Sequence, residues 1–164
     1  MSAVVIATAH AGDGTIRIVA NGLVSSLGDL FVPFRDILAA FEPDEMERTS
    51  IIIRFRHERP DDWSEIDVEG DGEPVLCINA GLATGFIGVE TLHANTPDYL
   101  LAFTSILASA YCRASGLGDE VRDEVRNLLL EKFVAGREAI SALERHADEQ
   151  NRCRLRRIAA RHDS

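Results

Sequence analysis

An uncharged stretch in the second half of the chain places the strongest constraint on the fold. Tyr99 through Cys112 contains no charged side chain over 14 positions. It follows Thr96-Pro97-Asp98, which offers an N-cap residue, a proline suited to the first helical position and an acid for the first turn. The stretch is too short to cross a bilayer. The sequence therefore predicts a helix, ending near Gly116, that is buried on most sides and covers the inner face of a sheet.

The other apolar segments predict the strands of that sheet. Ala3–Ala9 and Thr15–Ala20 have β-branched residues on either side of a glycine-rich turn, which is typical of a hairpin. Three isoleucines followed by an alternation of arginine with other residues predict a strand at Ser50–Arg59. The near-continuous apolar run Val75–Ala80 is typical of a central strand.

Two further segments lie between these strands. Apolar spacings of three and four residues predict a helix over Leu27–Phe41, either continuous or divided at Pro33 into a short and a longer helix. The three glycines of Gly81–Glu90 match neither the dinucleotide-binding nor the P-loop spacing, and no lysine follows them. We therefore expect a flexible, close-packed or ligand-covering loop there.

The most acidic part of the chain is residues 61–73, which hold seven carboxylates, no base and the only tryptophan. Glu65, Asp67 and Glu69 alternate with Ile66 and Val68, and such alternation predicts a strand with an acidic row on one face. Neighbouring carboxylates in the row would be about 6.6 Å apart. The row is either the solvated face of an antiparallel sheet or a docking surface for a cationic partner. Arginines of the preceding predicted strand, Arg54 and Arg56, would neutralise part of it.

Together these elements predict one α+β domain over residues 1–164. Its sheet is mainly antiparallel with about five strands in the order β-β-α-β-β-β, and the buried helix and C-terminal helices pack on one face. Residues 145–164 are rich in arginine and predict a frayed, basic C-terminal helix. Alternatives for this end are binding to nucleic acid, to another chain or to the acidic strand.

The charge distribution limits the classes of partner. The chain carries a net charge of −10, and residues 61–120 alone hold 11 acids and one base, Arg113. A field of this sign attracts cationic partners and disfavours nucleic acid or an anionic membrane at that part of the chain. There is no basic segment before a long apolar run at the N-terminus, so we expect a cytoplasmic protein. Cys77 and Cys112 lie in apolar surroundings and are predicted to be buried thiols, whereas Cys153 lies between arginines.

The acidic stretch carries no complete metal-binding or catalytic motif. Asp67-x-Glu69-x-Asp71-Gly72 has the opening spacing of an EF-hand loop, but the twelfth position, which requires a bidentate acid, is Ile78. We therefore assign no metal, no cofactor and no catalytic residue. A metal-dependent enzyme using His57 or His93 remains an alternative. Its looser cation site would use four acids: Asp61, Asp62, Asp71 and Glu73.

These observations predict a non-enzymatic protein-binding module that docks a basic protein partner. By analogy of size and acidity, the most concrete version is a small inhibitor or immunity protein that neutralises a basic, nuclease-like toxin domain. Trp63 would be the apolar anchor, because aromatic residues dominate interface hot spots. A structural homo-oligomer, such as a homodimer through helices in residues 119–161, is a further alternative. The candidate partner-binding residues are Asp61, Asp62, Trp63, Glu65, Asp67, Glu69 and Asp71.

Overall fold

The structure is a computed structural model that describes residues 2–11, 14–93 and 97–133, together with Arg145 and Glu149. Over these residues the chain forms a five-stranded antiparallel sheet with α-helices packed on one face. The predicted α+β class is thus confirmed. None of the described helices is long and apolar enough to cross a membrane. The predicted basic end, residues 145–164, lies outside the described residues except for Arg145 and Glu149.

The strands are β1 (Val4–Ala11), β2 (Gly14–Ala20), β3 (Leu30–Pro33), β4 (Ser64–Asp67) and β5 (Pro74–Asn79). The sheet has the strand order β1-β2-β3-β5-β4, and each neighbouring pair is antiparallel. The hairpin predicted at the N-terminus is present, and β4 and β5 form a second hairpin at the acidic stretch. The second hairpin turns at Gly70 and Gly72, whose φ angles of +89° and +76° favour glycine.

The helices are α1 (Phe34–Phe41), α2 (Glu45–Glu58), α3 (Ala80–His93), α4 (Pro97–Ser115) and α5 (Arg122–Phe133). The predicted buried helix is confirmed as α4, and its Leu100, Phe103 and Leu107 side chains are fully buried. The chain leaves α4 through Gly116, which has a φ of +78°. Short 3₁₀ turns precede β3 and α5 at Leu27–Asp29 and Asp119–Val121.

The prediction of a strand at Ser50–Arg59 is wrong, because this segment forms the greater part of α2. Asp44 caps the helix by accepting hydrogen bonds from the backbone N–H groups of Met46 and Glu47. Of the apolar side chains, Phe55 is buried whereas Ile53 is 62% exposed, so only one side of the segment faces the core. A helix that packs against the core along one side only can bury Phe55 and leave Ile53 in solvent.

The sheet still has five strands because Leu30–Pro33, which lies within the predicted helix Leu27–Phe41, supplies β3. The order of elements is therefore β-β-β-α-α-β-β before the last helices, and not β-β-α-β-β-β. The alternative division at Pro33 is close to the structure, since α1 begins at the next residue. β3 pairs with β2 over only two residue pairs, which is too short to leave a clear sequence pattern.

The loop predicted at Gly81–Glu90 is instead part of α3. Asn79 accepts a hydrogen bond from the backbone N–H of Leu82 at 2.8 Å and so starts the helix directly after β5. The buried Thr84 hydroxyl donates to the Ala80 carbonyl, which satisfies a polar group inside the core. Packing of α3 in the core, where Ala83 and Ile87 are fully buried, overrides the low helix propensity of glycine.

The sheet has apolar residues on both faces. One face, with Ile16, Ile18 and Ile78, joins the helices in the main core. The opposite face carries a smaller cluster made of Ala3, Val19, Ile66, Val68, Val75 and Cys77. The sheet curls around this smaller cluster, because Ala3 before β1 forms a parallel bridge with Val68 after β4. Backbone hydrogen bonds join Ala3 N–H to the Asp67 carbonyl at 2.7 Å and Glu69 N–H to the Ala3 carbonyl at 2.9 Å.

Candidate functional site at the acidic edge of the sheet

Strand β4 lies at one edge of the sheet and carries the predicted acidic row. Glu65, Asp67 and Glu69 are exposed, while the intervening Ile66 and Val68 are buried in the smaller cluster. The predicted alternation is therefore confirmed. We define the acidic edge as the six exposed or partly exposed acids around β4: Asp61, Asp62, Glu65, Asp67, Glu69 and Glu73.

Two acids of the acidic edge form ion pairs with nearby arginines. Arg56 contacts Glu65 at 2.8 Å and Arg59 contacts Asp62 at 2.6 Å. The expectation that Arg56 neutralises part of the row is confirmed, although Arg56 comes from the end of α2 and not from a neighbouring strand. Arg54 instead lies 3.6 Å from Glu47 on the same helix. The side chains of the Arg56 and Arg59 pairs are 38–50% exposed, so each pair contributes only about 0–1 kcal/mol.

The other four carboxylates of the acidic edge face solvent without a cationic partner in the described part of the chain. Asp61, Glu69 and Glu73 have no side-chain hydrogen bond or ion pair there. Asp67 accepts only the hydroxyl of Ser2, at 3.3 Å. Exposed carboxylates without internal cationic partners contribute directly to the electrostatic field outside the protein.

Trp63 lies between the end of α2 and the start of β4 and is partly buried against the main core. Its indole N–H donates to the Arg56 carbonyl at 3.2 Å. The guanidinium of Arg56 lies 4.8 Å from the centre of the ring, within the range of a cation–π interaction. The ring is thus fixed in place with part of its surface still accessible beside Asp62 and Glu65.

Asp71, the last of the predicted partner-binding residues, is held inside the protein. Its carboxylate is 11% exposed and lies 2.7 Å from Arg17 and 2.8 Å from Arg35. The hydrogen bond from Arg17 holds the pKa of Asp71 below its ordinary value, although partial burial opposes this shift. Arg17 also binds Asp36 at 2.8 Å, so two arginines and two aspartates form a compact neutral cluster. No local sequence pattern indicates this cluster, since Arg17 and Asp71 are 54 positions apart.

The structure does not assemble the cation site considered from the sequence. Within the described residues, no three His, Cys, Asp or Glu side chains are placed to hold a metal ion together. Asp62 and Asp71 are each engaged by arginine, which occupies the oxygens that a cation would need. His57 is exposed at the end of α2, and the side chain of His93 lies outside the described residues.

The two described cysteines behave as predicted for buried thiols. Cys77 and Cys112 are both free and fully buried. Burial raises the pKa of Cys77 to about 12 and also raises the pKa of Cys112. Neither thiol is a nucleophile at neutral pH, because the reactive species is the thiolate. The third, Cys153, lies outside the described residues.

Comparison with known proteins supplies no assignment for this surface, because no family model, curated protein or solved structure matches the chain. The acidic edge combines exposed carboxylates, a fixed tryptophan and arginines that are already paired. Such a surface can attract and orient a cationic macromolecule.

Proposed function

We propose that this chain is a non-enzymatic protein-binding module whose acidic edge docks a basic protein partner. The observation that supports this most directly is the group of exposed carboxylates without cationic partners in the described structure: Asp61, Asp67, Glu69 and Glu73. They lie in the third of the chain that holds 11 acids and one base. A concentrated field of one sign accelerates encounter with a partner of the opposite sign and rejects partners of the same sign.

The contacts around Trp63 suggest how docking proceeds after encounter. Trp63 keeps part of its ring exposed and is held by two contacts with Arg56, and interface hot spots are enriched in tryptophan. Desolvation of the paired Glu65 and Asp62 would strengthen their bonds to Arg56 and Arg59, so these pairs can remain intact in the complex. The most concrete form of this proposal is a cytoplasmic inhibitor of the immunity class that covers a basic, nuclease-like toxin domain.

Charge reversal at the acidic edge tests the proposal. The double variant Asp67→Lys/Glu69→Lys replaces two exposed carboxylates, and we expect it to fold normally but to lose the partner. The measurement is affinity capture by the purified chain at low and at high salt, followed by titration of the captured basic protein. Association with the variant should slow by about tenfold or more at low salt, because steering depends on the field.

The matched control is Glu120→Lys/Glu131→Lys, which changes the net charge equally at exposed positions of the helical part. We expect the control variant to bind the same partner as the unmodified chain. If both variants lose the partner equally, net charge alone explains the loss, and the idea of a defined docking surface is rejected. Retention of the partner by Asp67→Lys/Glu69→Lys, with its melting temperature unchanged, would reject the proposal altogether.

A further inference from the structure

The outer side of β1 is an open edge of the sheet beyond the end that the bridge at Ala3 closes. Thr8 lies opposite Arg17 of β2, and the N–H of Arg17 points away from β1 to donate to Asp36 at 3.1 Å. Opposite residues of an antiparallel pair either exchange both backbone hydrogen bonds or exchange none. Thr8 therefore directs its N–H and C=O groups outward, and His10 does the same two positions along the strand. In the described part of the chain, no strand pairs with these groups.

Helix α4 leaves one of its sides uncovered next to this open edge. It packs on β1, while α3 lies toward β3 and β5 and α5 packs on both of these helices. The remaining side of α4 therefore lies beyond the open edge of β1. A narrow stripe of exposed and partly exposed residues runs along the helix at helical spacing and consists of Asp98, Ala102, Ser105, Ile106, Ser109 and Arg113.

The charges on this surface are complementary to those of a second copy of the same surface. Val4–Ala11 and Tyr99–Cys112 contain no charged side chain, although 27% of the residues in the chain are charged. Charges occur only at the two ends of the α4 stripe, where Asp98 and Arg113 are exposed and have no ion pair in the described structure. Two α4 helices side by side in antiparallel orientation place Asp98 of one copy against Arg113 of the other.

We propose that β1 pairs antiparallel with β1 of a second copy, which makes the protein a two-fold symmetric homodimer with one continuous sheet. A register centred on Ala9 sets Thr8 opposite His10 of the second copy, and each of the two such pairs exchanges two backbone hydrogen bonds. This register leaves out the irregularity between Val5 and Ala7. The two-fold axis is perpendicular to the sheet, so both α4 helices lie on the same face and their stripes meet.

A second copy fits this surface better than the basic partner proposed for the acidic edge. The uncharged strand edge offers no carboxylate to a cationic chain, and the surface shares no residue with the acidic edge. A stable interface buries about 1,200–2,000 Å² in total, which two short strand edges do not reach alone. The α4 stripe supplies further contact area, because it extends for about 22 Å between Asp98 and Arg113. The dimer therefore stands independently of the proposed docking function.

Sedimentation equilibrium of the full chain over a concentration series, at low and at high salt, tests the dimer. We expect the dissociation constant to fall by about threefold or more at high salt, because salt screens the repulsion between two copies that each carry a charge of −10. This effect exceeds the weakening of the two exposed pairs between Asp98 and Arg113, which contribute little. A dimer held together by opposite charges on other surfaces would dissociate as salt is added. That result, or a monomer throughout the series, would overturn the proposal.

Two variants locate the interface, and circular dichroism checks that each one folds. Thr8→Pro removes an outward N–H that no described strand uses, and proline is tolerated at such an edge position. It should raise the dissociation constant of the dimer by about tenfold or more, since each copy loses one hydrogen bond across the interface.

The second variant, Ala102→Glu, acts on the helix and does not alter the strand. It sets a carboxylate of each copy within the α4 stripe and should also weaken the dimer by about tenfold or more. The matched control is Ala114→Glu, which changes the net charge equally at an exposed position of α4 outside the stripe and should weaken the dimer by less than about twofold. An unchanged dimer in folded Thr8→Pro, or equal dimerisation of Ala102→Glu and Ala114→Glu, would overturn the proposed interface.

Discussion

Arg17 shows at the scale of a single residue how the fold uses charge internally. β3 pairs with β2 only at Val19 and Ala20, so the backbone N–H of Arg17 lacks a strand partner on that side. The carboxylate of Asp36 accepts this N–H at 3.1 Å and also binds the Arg17 guanidinium. Asp71 accepts a further hydrogen bond from Arg17 at 2.7 Å. The side chain thereby joins β2, the start of α1 and the turn between β4 and β5.

Substitution of Asp71 tests this structural role. Asp71→Asn keeps the shape of the side chain but removes the charge that balances Arg17 and Arg35. We expect the free energy of unfolding, measured with urea at neutral pH, to fall by about 1–3 kcal/mol, since a charged hydrogen bond in a partly buried cluster is lost. The control Asp67→Asn, at an exposed position of the same hairpin, should change it by less than about 0.5 kcal/mol.

The pH dependence of the stability difference between the unmodified chain and Asp71→Asn tests the same structural role in a second way. Because Arg17 lowers the pKa of folded Asp71, the carboxylate stabilises the fold at every pH above the ordinary value of about 4. This stabilisation is lost as the pH falls through the lowered folded-state pKa. The gap between the unmodified chain and Asp71→Asn should therefore be constant near neutrality and should close in acid. A gap that persists unchanged in acid would show that packing and not charge is responsible.

Elements whose pattern is local were predictable from the sequence. The hairpins, the alternation around Ile66 and the buried helix α4 each follow from neighbouring residues that point to the same structure. The helix α2 contained conflicting signals. Its isoleucines and alternating arginines favour a strand, whereas Asp44 at the N-cap, Glu47 in the first turn and His57 in the last turn favour a helix.

The elements and contacts that the sequence did not predict depend on tertiary packing. β3 has only four residues and exists because β2 and β5 offer it partners on both sides. Asp71 was expected at the docking surface, but its burial depends on Arg17 and Arg35, which are distant in sequence. Such features depend on contacts that leave no local periodicity.

The start of α2 can be tested at the N-cap. Asp44→Ala removes the acceptor for two backbone N–H groups, at 2.9 and 3.4 Å, and should lower the free energy of unfolding by about 1 kcal/mol. Urea unfolding followed by circular dichroism at a helix-sensitive wavelength measures the change. Asp61→Ala, an exposed aspartate without a side-chain partner in the described structure, is the matched control. If both substitutions have the same effect, the N-cap at Asp44 does not stabilise α2.

At the scale of the whole molecule, the curled sheet brings its two edge strands together and so leaves less of their backbone unpaired. A sheet of five strands normally leaves the outer sides of two strands unpaired, and such edges invite association with other chains. Here the irregularity between Val5 and Ala7 bends β1, and the bridge between Ala3 and Val68 joins the two edge strands at one end. The enclosed cluster, which includes Val19 and Cys77, is buried without any of the described helices packing on it. Closure also fixes Asp67 and Glu69 of the acidic edge.

Removal of one backbone donor tests the closure. Ala3→Pro deletes the N–H that binds the Asp67 carbonyl at 2.7 Å, while the control Ala3→Gly keeps it. We expect Ala3→Pro to be less stable than Ala3→Gly by about 1–2 kcal/mol in urea. The Glu69 amide, which donates to the Ala3 carbonyl at 2.9 Å, should exchange its hydrogen faster in Ala3→Pro than in the control. Equal exchange in the two variants would mean that the bridge does not hold the edge strands together, and the smaller cluster would then have to be stabilised by packing alone.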